Sequence, residues 1–325
     1  MPAHAEEEPD GGAGSILSKV TSESTSPATD ILENVAQVAT VSVGDTAIDA
    51  VIDGASINVP TDPSRPVSIE SSTGKQIRVE LPFADEASKA EVVAEGVISY
   101  DNNNSSITAP VVKADGSLQV TTIIQDASAP TEFSYKLSIP LGGTIATADD
   151  GNVVILDSDG SFVGGVLPAW AKDANGVSVP THYVLAGTTR TQVVQHDAGN
   201  FASPVVADPW LWTQLFTNFW RGSWHGDYTY NGTVTVGGAI ILSGGGGVGG
   251  HALGVAVFLN AGWDEWKAKW PAVTNKATIR QQYECHVSGG VYTLPFTGPY
   301  NLERAQTNRA NWPIGVGDHH CNWTK

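Results

Sequence analysis

The sequence predicts a mainly β protein, in which a β-sandwich-like module is followed by a small α+β domain that a disulfide closes. The chain has 325 residues, more than the size of roughly 250 residues at which single cores stop growing. Its 35 glycines, 18 prolines and many Val, Ile and Thr residues favour strands joined by turns. A sharp change of composition separates the two parts.

This change lies just before Trp210. Nine of the ten tryptophans lie at or beyond that residue, with both cysteines and five of the eight histidines. Residues 1–209 hold 28 Asp and Glu against 9 Lys and Arg, a net charge of −19, whereas residues 210–325 hold 6 against 8, a net charge of +2. We therefore expect a disordered acidic leader (1–30), an acidic β module (31–209) and a Trp- and Gly-rich domain that carries any specific chemistry or recognition.

The leader and the cysteines indicate a secreted protein. Ala3-His4-Ala5 has the small-x-small form of a signal-peptidase site, and the acidic run 6–14 follows it directly. A chance match in an acidic leader is the alternative. Cys285 and Cys321 are the only cysteines, which suits one disulfide in an oxidising compartment. Two buried free thiols in a cytosolic protein are the alternative here.

The β module is predicted to contain strands about 8 to 12 residues apart, as in a sandwich or an open barrel. Alternating apolar residues predict strands at 40–43, 76–81 and 118–124. A short amphipathic helix is predicted at 31–39, and residues 84–93 form a second, competing helical segment. The predicted turns are Asp53-Gly54, Asp115-Gly116, Asp150-Gly151 and Asp159-Gly160.

The domain after residue 209 begins with two apolar segments. Residues 210–220 are predicted to form a connecting helix or an apolar strand. Residues 234–259 are an uncharged run of 26 residues with nine glycines, long enough to cross a membrane. Because glycine costs about 1 kcal/mol per helical residue relative to alanine, we favour two buried strands, 232–242 and 253–260, joined by a flexible loop.

Trp263, Trp266 and Trp270 are spaced at i, i+3 and i+7, which places their indoles on one face of a helix that Pro271 ends. An exposed face of this kind would be a sugar-stacking or membrane-interface platform, whereas a buried one would be the core of a small domain. Burial is favoured, because a domain of this size needs its aromatic residues. The candidate binding residues are Trp263, Trp266, Trp270, Trp312 and Trp323.

Residues 282–287 alternate in polarity like a strand, which would place Glu284 and His286 on one face. If Cys285 and Cys321 are bonded, their Cα atoms lie about 5.5 Å apart, and the residues beside them converge. The sequence then predicts a neighbourhood of imidazoles and carboxylates that contains Glu284, His286, Asp318, His319 and His320.

Two kinds of chemistry fit this neighbourhood. Glu284, His286 and His320 are candidates for general acid and base catalysis near neutral pH. His286, Asp318, His319 and His320 are candidate ligands of Zn²⁺; no other cofactor is predicted. Surface histidines beside a structural disulfide are the favoured alternative, and whether the protein is an enzyme stays open.

Two sets of motifs resemble known families. Segments 133–140, 153–160, 168–176, 180–183, 192–196 and 204–209 resemble, in this order, a β module of secreted actinobacterial proteins. The resemblance covers residues 75–209 and implies a presenting or folding module without catalytic residues. Gly262-Trp-Asp-Glu, Gln282-Tyr-Glu-Cys-His, Asn301-Leu-Glu and Cys321-Asn resemble an uncharacterised domain family of secreted actinobacterial proteins. That resemblance covers residues 250–325 and implies secretion and a paired disulfide, but no reaction.

The sequence as a whole predicts a secreted binding or interaction protein of the cell envelope or extracellular space, with an unknown ligand. The alternative is a secreted effector or bacteriocin-like toxin, acting on membranes through residues 234–259 or hydrolytically through the histidine neighbourhood. A net charge of −17 repels phosphate groups, so no nucleic-acid binding by the whole chain is predicted.

Overall fold

The computed structural model describes residues 12–22, 30–147, 151–243, 248–292 and 299–323. The chain is mainly β, as the sequence predicts, and its last part is a small α+β unit. The strands of the first part are β1 (Thr46–Ile52), β2 (Ala55–Pro60), β3 (Val67–Glu70), β4 (Gln76–Glu80), β5 (Glu91–Ala94), β6 (Val97–Asp101), β7 (Ser106–Val112), β8 (Leu118–Ile124), β9 (Glu132–Ser138), β10 (Thr144–Thr147), β11 (Val153–Leu156), β12 (Phe162–Val166), β13 (Trp170–Lys172), β14 (Thr181–Ala186), β15 (Thr189–Val194), β16 (Val205–Asp208) and β17 (Trp210–Trp212).

These strands form two antiparallel sheets. One has the order β1-β2-β3-β4-β9-β15-β14, and the other has the order β10-β11-β12-β17-β8-β7-β6-β5, with β16 paired to β8 and β13 to β16. Side chains from both sheets share one hydrophobic core. In β9, for example, Phe133, Tyr135 and Leu137 are buried and the residues between them are exposed. This period of two is the sandwich pattern that the sequence predicts.

The N-terminal segments differ from the prediction. Helix α1 (Ala13–Ser22) lies within the predicted disordered leader, and its Leu17 is fully buried against the sandwich. Residues 31–39 form turns and an isolated bridge between Val35 and Lys113, not a helix. Lys113 is the reason, because its buried ammonium donates to the carbonyl oxygens of Asp30, Ile31 and Glu33. These carbonyls are thereby held outside any helical hydrogen-bond pattern.

Three further local predictions are settled by the described residues. Residues 84–93 hold turns and the start of β5, and residues 40–43 hold no strand. The predicted helix at 84–93 and the predicted strand at 40–43 were therefore wrong. The turns at Asp53-Gly54, Asp115-Gly116 and Asp159-Gly160 are confirmed, with positive φ at each glycine. The predicted turn at Asp150-Gly151 falls partly outside the described residues.

The boundary between the two parts lies a few residues after the compositional one. Strand β17 pairs with β12 and β8 inside the second sheet, so Trp210 and Trp212 belong to the sandwich. The Trp210 Nε1 donates to the Ser117 Oγ at 2.7 Å. A second hydrophobic core spans this boundary. In it, Phe162 of the sandwich packs on Trp212, and Trp212 contacts the C-terminal unit at Gly237.

The C-terminal unit is a three-stranded antiparallel sheet with helices on one face. Its strands are β18 (Phe216–Trp224), β19 (Asp227–Val234) and β20 (Tyr300–Glu303), in that order in the sheet. Its helices are α2 (Val236–Ser243), α3 (Val248–Val257), a π-helix (Phe258–Gly262), α4 (Trp263–Lys269), a 3₁₀-helix (Pro271–Asn275), α5 (Ala277–Tyr292) and α6 (Val316–His319). Residues 210–212 and 216–220 thus fall in strands, and a strand was one of the two predicted alternatives.

The described residues of the Gly-rich run form mainly two short helices, so the predicted pair of strands was wrong, and most of the predicted loop, 244–247, lies outside the described residues. Close packing explains its glycines. A Cβ on Gly237 would lie 2.3 Å from the Trp212 ring, and one on Gly254 would lie 2.1 Å from the Ile241 carbonyl oxygen. The run therefore lets α3 approach α2 and lets α2 approach the sandwich. Among the described residues, no helix is long and apolar enough to span a membrane.

The disulfide and the tryptophan helix are as predicted. Cys285 and Cys321 are bonded, with their Cα atoms 5.5 Å apart. Helix α4 carries Trp263 and Trp266 and ends immediately before Trp270, with Pro271 next. Trp266 is fully buried among Phe216, Phe219 and Tyr283, which confirms that this helical face belongs to the core.

Candidate functional site

The predicted histidine and carboxylate neighbourhood is not assembled. Residues 282–287 lie in α5 and not in a strand, so Glu284 and His286 point roughly 200° apart around the helix. Glu284 accepts from the Arg280 Nε at 2.7 Å on the outer side. His286 is buried against the Tyr300 ring, and its Nδ1 lies 2.8 Å from the Gln282 carbonyl oxygen. Burial lowers the pKa of His286 to about 4, so this imidazole is neutral at pH 7.

The C-terminal candidates are also separated by their contacts. The His319 Nδ1 accepts from the backbone of Cys321 at 3.0 Å, and its Nε2 lies 2.9 Å from the Trp312 carbonyl oxygen. His320 and Asp318 are exposed. Over the part of the chain that the structure describes, no three His, Cys, Asp or Glu residues are grouped to hold a metal ion. The geometry therefore supports neither the zinc site nor the acid and base pair.

The five predicted binding tryptophans do not form an exposed platform. Trp266 and Trp323 are buried. Trp263 and Trp270 pack against the core of the C-terminal unit, and Trp312 packs beside the disulfide. The predicted exposed tryptophan platform is therefore absent from the described residues, although Trp323 and Trp263 each line a cleft.

The motif residues of this domain mainly hold the fold. The Glu265 carboxylate is buried and accepts from the backbone N–H groups of Leu215 and Phe216 at 2.8 and 2.9 Å, at the start of β18. Burial raises the pKa of Glu265 to about 8. The Tyr283 hydroxyl donates to the Phe258 carbonyl oxygen. These residues fix the sheet to the helices.

Two other tryptophans are placed where a ligand can reach them. Trp220 and Trp224 lie on β18, which pairs with β19 in unbroken register from Trp220 to the turn at His225-Gly226. Positive φ angles of 48° and 76° at the two turn residues make this a type I′ hairpin. Since the two tryptophans are four residues apart, both project from the same face, about 13 Å apart.

This face is the outer one. Tyr230 and Gly232 of β19 face the core, against Trp270 and Trp266. Trp220 pairs with Asn231, which alternates with Tyr230 and Gly232 along β19 and therefore lies on the other face of the sheet. Trp220 is 43% exposed. Gly222 lies between the two tryptophans on the same face, and the side chains of Thr229 and Asn231 on β19 cover it. A Cβ at Gly222 would lie 2.6 Å from the Thr229 Oγ1.

A cleft of about 290 Å³ opens beside Trp224. Its other lining residues are Glu303, Gln306, Asn322 and Trp323. We call Trp220, Trp224 and these four residues the hairpin site. It combines two partly exposed indoles, one carboxylate and two side-chain amides.

The C-terminal segment builds one wall of the hairpin site. The Gln306 Nε2 donates to the Glu303 carboxylate, and the Gln306 Oε1 accepts from the Trp323 backbone at 3.1 Å. The Trp323 Nε1 donates to the Thr307 carbonyl oxygen at 2.8 Å. Asn322 is exposed and follows Cys321, so the disulfide fixes its position against α5.

The hairpin turn is anchored to the end of β20. Asp227 accepts from the Arg304 Nε at 3.2 Å and lies 3.5 Å from the Lys276 ammonium. A hydrogen bond from the Tyr228 backbone, together with these cations, lowers the pKa of Asp227. The turn that carries Trp224 is therefore held against the strand that carries Glu303.

The sequence contains a hairpin pattern that predicts this site, although the overall composition does not show it. The pattern Trp220-x-Gly222-x-Trp224 followed by His225-Gly226 is that of a hairpin strand with two large residues on one face. No protein-family model matches the chain, and no curated protein matches it.

Proposed function

We propose that this chain is a secreted binding protein of the cell envelope or extracellular space, and that it binds a saccharide at the hairpin site. The observation that carries the proposal is the placement of Trp220 and Trp224 on one outer face, beside a cleft lined with a carboxylate and two amides. This combination of groups matches the two kinds of surface that a sugar ring presents.

A pyranose ring has an apolar face of C–H groups and a rim of hydroxyls. An indole offers a flat apolar surface of matching size, and stacking on it needs no charge. A hydroxyl both donates and accepts, so it pairs with a side-chain amide, which offers both functions, or with a carboxylate. Trp220 and Trp224 supply the first interaction. Glu303 and Asn322 supply the second, and the buried Gln306 amide holds Glu303 and Trp323 in place.

The disulfide and the sandwich support an extracellular setting. A buried disulfide between distant residues is stable in an oxidising compartment. The sandwich contributes two tryptophans to the shared core and holds β18 through the Asp53 carboxylate, which accepts from the Asn218 N–H at 2.6 Å. It thus serves as a rigid base that presents the hairpin outwards.

Affinity electrophoresis through gels that contain a soluble polysaccharide tests this function. A panel should include a β-glucan, an α-mannan, an arabinogalactan and a chitin derivative. We expect the full chain to be retarded by at least one of them, and we expect Trp220→Ala and Trp224→Ala each to weaken binding about tenfold, since an aromatic contact is worth about 1 kcal/mol or more.

Tyr228→Ala is the matched control. Tyr228 is an exposed aromatic of the same hairpin, but it lies on the opposite face, where its ring contacts Arg221. This variant should bind like the wild type. The proposal fails if no polysaccharide retards the chain, or if all three variants lose binding equally.

A further inference from the structure

A second and larger cleft, of about 560 Å³, lies between the sandwich and the helices of the C-terminal unit. The turn between β11 and β12, which contains Asp159, forms one wall. The other wall consists of α3, the π-helix, α4 and Arg280 of α5. Ligand sites of this volume are common at the junction of two units. It shares no residue with the hairpin site.

Apolar side chains line part of this interunit cleft. Leu156 and Phe162 line it from the sandwich, and Leu253 and Val257 line it from α3. Charged groups stand around it in equal number: the carboxylates of Asp159 and Asp264, and the cations of Lys267 and Arg280. Asp264 and Lys267 form an ion pair at 2.6 Å on the same wall. Asp159 and Arg280 stand on opposite walls, and Arg280 forms an ion pair with Glu284, which lies outside the lining of the cleft.

Arg280 is fixed by contacts with its own helix, the π-helix and Trp263. Its Nε donates to Glu284 at 2.7 Å, and its Nη2 donates to the Leu259 carbonyl oxygen at 2.9 Å. Its guanidinium also lies 4.9 Å from the Trp263 ring. Within the described ranges of the chain, its Nη1 makes no hydrogen bond. A guanidinium that is already fixed loses little entropy when it binds a carboxylate.

The π-helix supplies part of this arrangement. Its wider turn places the carbonyl oxygens of Phe258 and Leu259 where Tyr283 and Arg280 can donate to them. Such segments are rare and are often found at functional sites. The π-helix therefore joins the wall of the cleft to the groups that position Arg280.

Asp159 stands on the opposite wall in an ordered turn. Its Oδ1 accepts from the Ser161 N–H at 2.9 Å, and the preceding Asp157 accepts from the same group. Asp157 also forms an ion pair with Lys75. The turn thus presents the Asp159 carboxylate from a fixed backbone.

We propose that the interunit cleft binds a small zwitterion with an apolar side chain, of the class of free amino acids and short peptides. The carboxylate of the ligand pairs with Arg280, its ammonium pairs with Asp159, and its side chain lies on Phe162 and Val257. A simple anion would leave the Asp159 carboxylate without a cation, and an uncharged ligand would supply neither a cation for that carboxylate nor an anion for the Arg280 Nη1.

Isothermal titration of the full chain with leucyl-leucine tests this proposal. We expect saturable binding that weakens about tenfold in Asp159→Asn and in Arg280→Gln. Acetylation of the ligand amine, or amidation of its carboxylate, should weaken binding by a similar factor. Lys267→Gln is the matched control, because Lys267 is a cation of the same cleft that pairs with Asp264 and that the proposed ligand does not contact; this variant should stay within twofold of the wild type.

Asp159→Asn keeps the proposal falsifiable if Arg280→Gln does not fold, since Asp159 lies in an exposed turn. The proposal is overturned if leucyl-leucine does not bind, or if the acetylated and amidated ligands bind as well as the zwitterion. It is also overturned if the chain binds phosphocholine, a zwitterion with no carboxylate and no apolar side chain, but not leucyl-leucine. Trp220→Ala should bind the dipeptide normally, so this result and the saccharide result are independent.

Discussion

The side-chain amide of Gln282 pairs with the backbone of Glu303. The Gln282 Oε1 accepts from the Glu303 N–H at 2.8 Å, and the Gln282 Nε2 donates to the Glu303 carbonyl oxygen at 2.9 Å. Since β20 is the edge strand of its sheet, α5 continues the hydrogen bonding of that sheet through one side chain. Glu303 lines the hairpin site, so this pair joins the core helix to the surface that we expect to bind a saccharide.

Gln282→Leu should lower the free energy of unfolding by about 2 kcal/mol, because two backbone groups of Glu303 lose their partners. Urea denaturation measures this change. Gln195→Leu is the control, since the Gln195 side chain is exposed and makes no hydrogen bond among the described residues. Equal denaturation midpoints for the two variants would contradict the structural role of Gln282.

The buried carboxyl of Glu265 predicts a pH dependence of stability. Burial raises its pKa to about 8 in the folded chain, whereas an unfolded glutamate has a pKa of about 4.3. The folded state therefore holds a proton that the unfolded state releases between these values. The contribution of Glu265 to stability is complete below about pH 4.3 and is lost as the pH rises towards 8.

Glu265→Gln removes this dependence but keeps one acceptor oxygen for the N–H groups at Leu215 and Phe216. The stability of the wild type relative to the variant should fall as the pH rises from 5 to 8, by at most about 1.4 kcal/mol per pH unit. Urea denaturation at four pH values within that interval measures the difference. Parallel profiles for the two proteins would show that Glu265 does not titrate in this range.

Much of the sandwich is predictable because its strands are local patterns. Residues 76–81 and 118–124 alternate, and glycines with positive φ mark turns such as Asp53-Gly54. The disulfide follows from the two cysteines, and burial of Trp266 follows from helical spacing. The strands, the turns and the burial of Trp266 are inferred from residues that lie close together in the sequence. The disulfide is inferred because the chain has only two cysteines, so a single pairing is possible.

Helices α2, α3 and α5 were mispredicted as strands, because burial hides the helical period. In α5, Gln282, Tyr283, Cys285, His286 and Val287 are all buried, so no polar face marks the helix. A continuous apolar run such as 234–259 likewise suits a buried strand or a buried helix. Contacts with residues distant in sequence decide between them. The exposure of Trp220 also depends on such contacts, since the chain alone does not show which hairpin face the helices cover.

Gly254→Ala tests the packing account of the Gly-rich run. An alanine normally stabilises a helix by about 1 kcal/mol relative to glycine. At Gly254 the new methyl group would meet the Ile241 carbonyl oxygen at 2.1 Å, so α2 and α3 would have to separate. We expect the free energy of unfolding to fall by about 2 kcal/mol, as measured by urea denaturation.

Gly289→Ala is the matched control for this variant. Gly289 also lies within a helix, but a Cβ there would meet its nearest described neighbour, the Cys321 Sγ, at an ordinary 3.9 Å. This variant should be as stable as the wild type or more stable. A stabilising Gly254→Ala would contradict close packing of α2 against α3.

Removal of the disulfide should affect both stability and the hairpin site. The bond joins residues 36 positions apart, and the double variant Cys285→Ala/Cys321→Ala should lose about 3 to 4 kcal/mol of unfolding free energy, because its unfolded chain gains freedom. Asn322 and Trp323 would also lose their link to α5. Saccharide binding should therefore weaken more than the binding of leucyl-leucine, whose cleft does not include the C-terminal segment.

Treatment with a reducing agent distinguishes the effect of the disulfide bond from the effect of replacing the two cysteine side chains. It should lower the denaturation midpoint of the wild type towards that of the double variant and should leave the double variant unchanged. If reduction weakens saccharide binding and stability in proportion, the disulfide acts only on global folding. If it weakens saccharide binding under conditions where α5 and the sandwich stay folded, the bond positions the wall that Asn322 and Trp323 form.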